Sequence, residues 1–78
     1  MSETMRYNRL AEVLAEKGKT GKWLADKVGK RVETISGYCT QKFQPTVATL
    51  FELADVLDVD VRELLLPNKN SPHKNFRF

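Results

Sequence analysis

The 78 residues allow one small domain, and the content of 41% hydrophobic and 29% charged residues, with a net charge of +3, is ordinary for a soluble globular protein. No apolar run is long enough for a membrane span, and the first residues lack the pattern of a signal peptide, so we expect a cytoplasmic protein. A single cysteine and a single histidine exclude a disulfide framework and disfavour a zinc site, so we expect no metal and no cofactor.

The charge is unevenly distributed. Residues 17–42 carry seven basic and two acidic side chains, a net charge of +5, whereas residues 52–63 carry one basic and five acidic ones, a net charge of −4. A polyanion would be attracted to the first segment and repelled by the second. Ordinary solvated surface charge produces the same pattern, so the asymmetry alone does not decide between these interpretations.

Hydrophobic periodicity predicts two helices in the first third of the chain. The first spans residues 5–17 and ends at Gly18; its inward arc carries Tyr7, Leu10, Val13 and Leu14. The second spans residues 21–28, with the hydroxyl of Thr20 as its N-cap and Gly29 at its end. The buried stripe of this second helix comprises Leu24, Ala25 and Val28.

A third helix is predicted from Val32 to Thr40. Its inward arc carries Ile35, Tyr38 and Cys39, and its opposite side carries Glu33, Ser36, Gly37 and Thr40. A glycine within a helix costs about 1 kcal/mol relative to alanine. Either a close approach of the backbone matters at Gly37, or the helix tolerates the loss.

Two further helices and a tail complete the prediction. The fourth helix spans residues 47–57, capped by Thr46, with Val56 pointing away from an inward face of Val47, Leu50, Leu53, Ala54 and Leu57. Asp60 and Glu63 form a capping box for a fifth helix over residues 61–66. We therefore expect a domain over residues 1–66, followed by a mobile, polar and basic tail over residues 67–78.

The spacing of Ala25, Gly29 and Ile35 suits two short helices that cross closely. Ala25 allows the close approach, Gly29 can adopt the left-handed turn between the helices, and Ile35 fills the angle between them. The pattern predicts an all-α domain of five helices, with a helix-turn-helix formed by the second and third. One face of residues 32–40 would then be placed to enter a DNA major groove.

Over residues 6–66 the chain resembles the XRE family of helix-turn-helix domains, the phage-repressor and Cro type. The matching positions are Leu24-Ala25, Gly29, Thr34-Ile35-Ser36, Pro45, Leu50, Leu53-Ala54, Leu57, Val59 and Glu63-Leu64-Leu65. The chain departs from the family's common residues at Gly21 (Gln), Arg31 (a capping residue), Cys39 (Glu) and Gln41 (Gly). The resemblance implies that the third helix reads bases, while the ends of the second helix and the loop after the third contact phosphates.

The candidate base-reading residues are Val32, Glu33, Ser36, Gly37 and Thr40. Glu33 can accept a hydrogen bond from cytosine, and Val32 can pack against a thymine methyl group. An acidic residue in the first turn also favours the helix dipole, so Glu33 has a structural explanation of equal weight.

The candidate phosphate-binding residues are Thr20, Lys22, Trp23, Lys30, Arg31, Gln41 and Lys42. Each lysine could equally be solvated surface. For Trp23, local packing is favoured over a contact with the DNA backbone. Cys39 is interpreted as a small buried hydrophobe rather than a redox sensor.

These features together predict a sequence-specific regulator of transcription, and more specifically a repressor, that binds a pseudo-palindromic operator in double-stranded DNA as a homodimer. The candidate dimer interface comprises Val56, Val61, Leu65, Leu66, Phe76 and Phe78. The alternative is an antitoxin-type module that couples DNA binding to capture of a partner protein, with residues 67–78 folding on that partner. The sequence lacks a recognisable catalytic constellation, so we do not expect an enzyme.

Overall fold

Four α-helices and one 3₁₀ helix follow one another in the computed structural model, which describes residues 6–67. The elements are α1 (Leu10–Lys17), α2 (Gly21–Val28), α3 (Val32–Cys39), α4 (Val47–Leu57) and the 3₁₀ helix (Val61–Leu64). Among the described residues, the one β pairing is an isolated antiparallel bridge between Asn8 and Leu65. The all-α class is confirmed, and the expected fifth helix is the short 3₁₀ helix.

The predicted ends of α2 and the predicted start of α4 are confirmed. The Thr20 hydroxyl accepts a hydrogen bond of 3.0 Å from the backbone N–H of Trp23, and the Thr46 hydroxyl caps α4 in the same way. Gly29 ends α2 in the left-handed conformation, with φ of 70°. This turn favours glycine, because most side chains are strained at positive φ.

The crossing of α2 and α3 is the centre of the core. Ala25 and Ile35 are both buried there, as the spacing predicted. The α2 helix also contacts α4, and all five elements contribute side chains to one cluster. The buried apolar residues of the cluster are Leu10, Val13, Leu14, Leu24, Ala25, Ile35, Tyr38, Leu50, Leu53, Ala54, Leu57 and Leu64.

The first helix begins at Leu10 and not at residue 5. The Asn8 side chain accepts a hydrogen bond of 2.9 Å from the N–H of Leu10, and the segment before α1 pairs with the end of the 3₁₀ helix. In that pairing the N–H of Leu66 donates to the carbonyl of Tyr7 at 3.0 Å. The prediction that Tyr7 faces inward on a helix was therefore wrong, and its side chain is 54% exposed.

The last element is shorter than predicted for the same reason. The chain is extended at Leu65, where it forms the bridge to Asn8, so helical geometry ends at Leu64. The Asp60 carboxylate accepts from the N–H of Arg62 at 2.9 Å, while the N–H of Glu63 donates to the backbone carbonyl of Asp60. Asp60 is therefore the capping residue, as predicted, but its carboxylate accepts from the N–H of Arg62 and not from that of Glu63.

Two valines of α4 lie opposite to their predicted positions. Val47 is 69% exposed because the buried face of α4 begins only at Leu50 and the first turn extends past the core. Val56 is half-buried against the core, since α4 also packs on the 3₁₀ helix and its buried face is wider than one stripe.

Candidate nucleic-acid interface

The outer side of α3 is exposed and forms part of an open depression. Val32 is 47% exposed, and Glu33, Ser36 and Thr40 are also exposed, while Ile35 and Tyr38 on the opposite side are buried. The depression has a volume of about 550 Å³ and is lined by Val32, Glu33, Thr34, Ser36, Gly37, Thr40, Lys42 and Phe43. Four of the five predicted base-reading residues thus share one accessible face.

The N-terminal end of α3 carries a basic and an acidic side chain close together. The Nε atom of Arg31 lies 3.7 Å from the Glu33 carboxylate, and both side chains are exposed. Arg31 occupies the N-cap position of α3, but its side chain makes no capping hydrogen bond. No side chain at the N-cap therefore accepts from the N–H groups of the first turn. Glu33 in that turn fits the helix dipole and also projects outward, so both interpretations of this residue are compatible with the geometry.

The two hydroxyl residues of α3 present different chemistry. The Thr40 hydroxyl donates to the carbonyl of Ser36 at 2.9 Å, so its proton is engaged within the helix. Thr40 therefore presents an oxygen acceptor and a methyl group, whereas the Ser36 side chain lies exposed on the same face.

Gly37 was expected to face solvent, and that expectation was wrong. Its position is buried because the side chain of Phe43 lies over it. A Cβ at Gly37 would overlap three carbons of the Phe43 ring. The helix accepts the unfavourable glycine because the backbone must approach this ring closely. The sequence showed this requirement but did not show which residue imposes it.

Gln41 is buried and not available for a phosphate contact. Its side-chain oxygen accepts from the N–H of Tyr7 at 3.0 Å, and its side-chain nitrogen donates to the carbonyl of Asn8 at 3.0 Å. The predicted phosphate contact of its side chain was therefore wrong, because the amide is occupied by the segment before α1. Its φ of 66° explains the family's preference for glycine at this position.

Three side-chain amides, Asn8, Gln41 and Gln44, form an amide network beneath the loop between α3 and α4. The Nδ2 atom of Asn8 donates to Gln44 at 2.8 Å and to the carbonyl of Tyr38 at 3.1 Å, and Gln44 donates to Gln41 at 3.1 Å. The network ties the loop to the start of the domain. The departure from glycine at Gln41 was the signal in the sequence that could have indicated it.

The predicted phosphate-binding lysines and arginine lie at the start of α2, in the turn before α3 and in the loop after α3. Lys22, Arg31 and Lys42 are exposed, and Lys30 is half-buried between α2 and α3. Lys42 lines the same depression as α3. The Thr20 oxygen accepts its capping bond, which leaves the hydroxyl proton free for another acceptor.

Trp23 packs locally, as the sequence favoured. The ring is half-buried against the core, with the Nζ atom of Lys19 at 4.7 Å and that of Lys27 at 5.9 Å from its centroid. Both distances are within the range of cation–π attraction. The ring therefore holds two positive charges beside α2.

The remaining candidates occupy less informative positions. Cys39 is half-buried, and burial raises the pKa of its thiol, as expected for a small packed hydrophobe.

Residues 6–67 contain no group of three or more potential metal-binding side chains. Within the same span, every helix is too short or too polar to cross a membrane.

The proposed interface residues are only partly accessible. Val56 and Val61 pack against the protein's own core, Leu66 is half-buried, and Leu65 is 41% exposed. Phe76 and Phe78, and almost all of the expected tail, lie outside the described residues.

Comparison with known proteins identifies the class. A family model described as helix-turn-helix matches residues 10–64, from the start of α1 to the end of the 3₁₀ helix. The chain therefore belongs to the XRE type of the helix-turn-helix family. Among solved structures it is similar to a "putative DNA-binding protein" from Bacteroides fragilis, with 45% identity over 80% of this chain and 100% of that one and a TM-score of 0.76. No curated protein sequence matches it.

Proposed function

We propose that this protein is a cytoplasmic repressor of transcription that binds a pseudo-palindromic operator as a homodimer, with α3 in the major groove of each half-site. The observation that carries the proposal is the exposed outer face of α3 with basic residues beside it. In this fold the second helix of the motif enters the groove, and its N-terminal residues contact base edges.

The exposed side chains of α3 supply base contacts. Val32 provides an apolar surface for a thymine methyl group, Glu33 an acceptor for cytosine, and Ser36 and Thr40 adaptable oxygen atoms. The face lacks an arginine, asparagine or glutamine for bidentate recognition. We therefore expect moderate specificity per residue, with a contribution from DNA shape.

The flanking residues supply phosphate contacts. Lys22, Arg31 and Lys42 are exposed at the start of α2, the start of α3 and the loop after α3, and Lys30 lies at the turn. The hydroxyl of Thr20 and the first N–H groups of α2 add donors without charge. A contact of Trp23 with the DNA backbone is the least supported of this set, because its ring already packs locally.

We expect dimerisation because the exposed face of a single α3 helix offers too few contacts for tight binding to DNA. Two half-sites would lie about 34 Å apart, one turn of DNA. The exposed Leu65 and its neighbours Val61 and Leu66 offer apolar surface for the contact, with Val56, Phe76 and Phe78 as further candidates. Sedimentation of the protein with operator DNA should give a dimer, and a monomer both with and without DNA would contradict this part.

Selection of bound sites from random duplex DNA tests the proposal most directly. We expect an enriched site with two-fold symmetry. Binding to that site should weaken steeply with salt, because each neutralised phosphate adds about 0.9 to the slope of log affinity against log salt concentration. An absence of enrichment would contradict sequence-specific binding.

The double variant Lys30→Ala/Arg31→Ala tests the phosphate contacts. We expect the salt slope to fall by about one to two while the selected site stays the same. Arg62→Ala is the matched control, because this exposed arginine lies in the acidic segment and is paired with Asp60. A changed site preference would assign Lys30 or Arg31 to base recognition instead.

The antitoxin-type module remains the second candidate, in which the polar and basic segment 67–78 would fold on a partner protein. Deletion of this segment separates the two proposals. Loss of dimerisation would support the interface role, whereas unchanged DNA binding and dimerisation would exclude that role and leave capture of a partner protein as the function of the segment.

A further inference from the structure

Phe43 is a large apolar side chain on the face proposed to contact DNA, and its exposed part has no role in the contacts assigned so far. The side chain is 44% exposed, and the edge of its ring rests on Gly37 of α3. Because Gly37 lies on the outer side of α3, the ring occupies the place that a longer side chain at Gly37 would take.

The ring is held in a defined position. The N–H groups of Lys42 and Phe43 both donate to the carbonyl of Gly37, at 2.8 and 3.4 Å. The ring packs edge-to-face with Tyr38, with 5.7 Å between the centroids and an interplanar angle of 84°. A partly exposed ring supported on two sides is pre-organised and loses little freedom on binding.

The surroundings of the ring indicate which DNA group it would contact. Phe43 lines one depression together with Val32, Ser36, Thr40 and Lys42. Within this face, Lys42 is suited to a phosphate, whereas the ring lies over Gly37 and lines the same depression as Val32 and Ser36, the residues proposed to contact base edges. The apolar group that the major groove offers at a base edge is the 5-methyl group of thymine.

We propose that the Phe43 ring contacts the 5-methyl group of a thymine in each half-site and thereby specifies that base pair. The inference rests on the proposed function, because it requires α3 to lie in the major groove. Gly37 is then a positioning residue: its missing side chain gives the ring its place on α3.

Replacement of single thymines by deoxyuridine in the selected site tests the contact, since it removes the methyl group and retains the base pairing. We expect one Phe43-dependent position per half-site, distinct from any thymine that Val32 contacts, at which wild-type affinity falls about threefold to fivefold, the effect of losing one buried methyl group. In Phe43→Ala the same replacement should have no effect on affinity. Phe43→Leu, which keeps an apolar side chain, should retain part of the sensitivity.

Gly37→Ala provides an independent variant, because it leaves Phe43 in the chain and displaces its ring. We expect loss of sensitivity to that one methyl group, while circular dichroism and thermal unfolding show a folded protein. Val32→Ala is the matched control. It removes the other exposed apolar group of α3, so sensitivity at the Phe43-dependent position should persist.

Three results would overturn the inference while leaving the proposed function intact. These are a wild-type protein insensitive to every deoxyuridine replacement, a sensitivity that persists in Phe43→Ala, and an equal loss by Phe43→Ala on selected and random DNA. The last result would assign the ring to sugars of the backbone. If the wild-type protein enriches no site, the proposed function fails first and the inference fails with it.

Discussion

The crossing of α2 and α3 and the amide network stabilise adjacent parts of the same surface by different means. At the crossing, Ala25 and Ile35 fix the angle of α3 through apolar packing. In the amide network, Asn8 and Gln41 fix the loop after α3 through buried hydrogen bonds. A side chain buried at the crossing leaves a cavity when it is shortened, whereas a buried amide without its partner carries the desolvation cost of one polar group. We therefore expect substitutions at the crossing to destabilise the fold more than substitutions in the amide network.

The largest expected effect is at the crossing. Ile35→Ala should lower the free energy of unfolding by about 2–5 kcal/mol, because it leaves a cavity in a fully buried site. Urea denaturation followed by circular dichroism measures the change. Val32→Ala, one turn earlier and exposed, should change stability by less than about 0.5 kcal/mol. Equal losses in the two variants would mean that Ile35 is not the centre of the core.

The second prediction concerns the amide network. Gln41→Ala should lower the free energy of unfolding by about 1–3 kcal/mol, because the N–H of Tyr7 and the carbonyl of Asn8 lose their partner. Gln41→Gly should be less damaging by about 1 kcal/mol, since glycine adopts the positive φ without strain.

A double variant sharpens this second test. Asn8→Ala and Gln41→Ala share hydrogen bonds, so their effects should not add, whereas Gln41→Ala and Thr20→Ala should add within about 0.5 kcal/mol. Full additivity of Asn8→Ala and Gln41→Ala would show that the two amides are not coupled.

A smaller effect is expected at the start of α2. Thr20→Ala should lower the free energy of unfolding by about 1 kcal/mol, because the N–H of Trp23 loses its cap. Thr20→Ser should retain most of the stability. If serine and alanine destabilise equally, the methyl group of Thr20 and not its hydroxyl is the stabilising part.

The smallest effect concerns pH. Burial, and secondarily the carboxylate of Glu12, raises the pKa of the Cys39 thiol above its ordinary value of 9.0. The folded state then holds the thiol proton more tightly than the unfolded state. The resulting contribution to stability is complete below pH 9.0 and is lost as the pH rises above that value.

Comparison of the wild-type protein with Cys39→Ser measures this contribution. The difference in unfolding free energy between them should shift against the wild type as the pH rises from 8 to about 10.5. In the same range, iodoacetamide should react more slowly with the folded protein than with the unfolded one. A constant difference in unfolding free energy would contradict the raised pKa.

The sequence predicted the crossing because its determinants are local. A capping threonine, a glycine at a left-handed turn and a short apolar spacing fix α2, the turn and α3 without knowledge of the rest of the chain. The outward positions of Glu33 and Ser36 then follow from helical periodicity alone.

The sequence did not predict the amide network because its partners are distant in the chain. The bonds between Asn8 and Gln41 join residues 33 positions apart, and neither residue repeats with any period. Periodicity also failed at the ends of α4, where the depth of the core, and not the helical angle, decides that Val47 is exposed. The burial of Gly37 was missed for a related reason. Phe43, which covers it, lies in the loop after α3, and the angular positions of residues around one helix do not show where a loop side chain packs.

The position of Trp23 has a practical consequence. It is the sole tryptophan of the chain, half-buried in α2 with the ammonium groups of Lys19 and Lys27 over its ring. Movement of either ammonium group changes the electric field at the indole, and with it the emission of the ring. The protein thus carries an intrinsic fluorophore within its helix-turn-helix, and a titration with DNA needs no attached label.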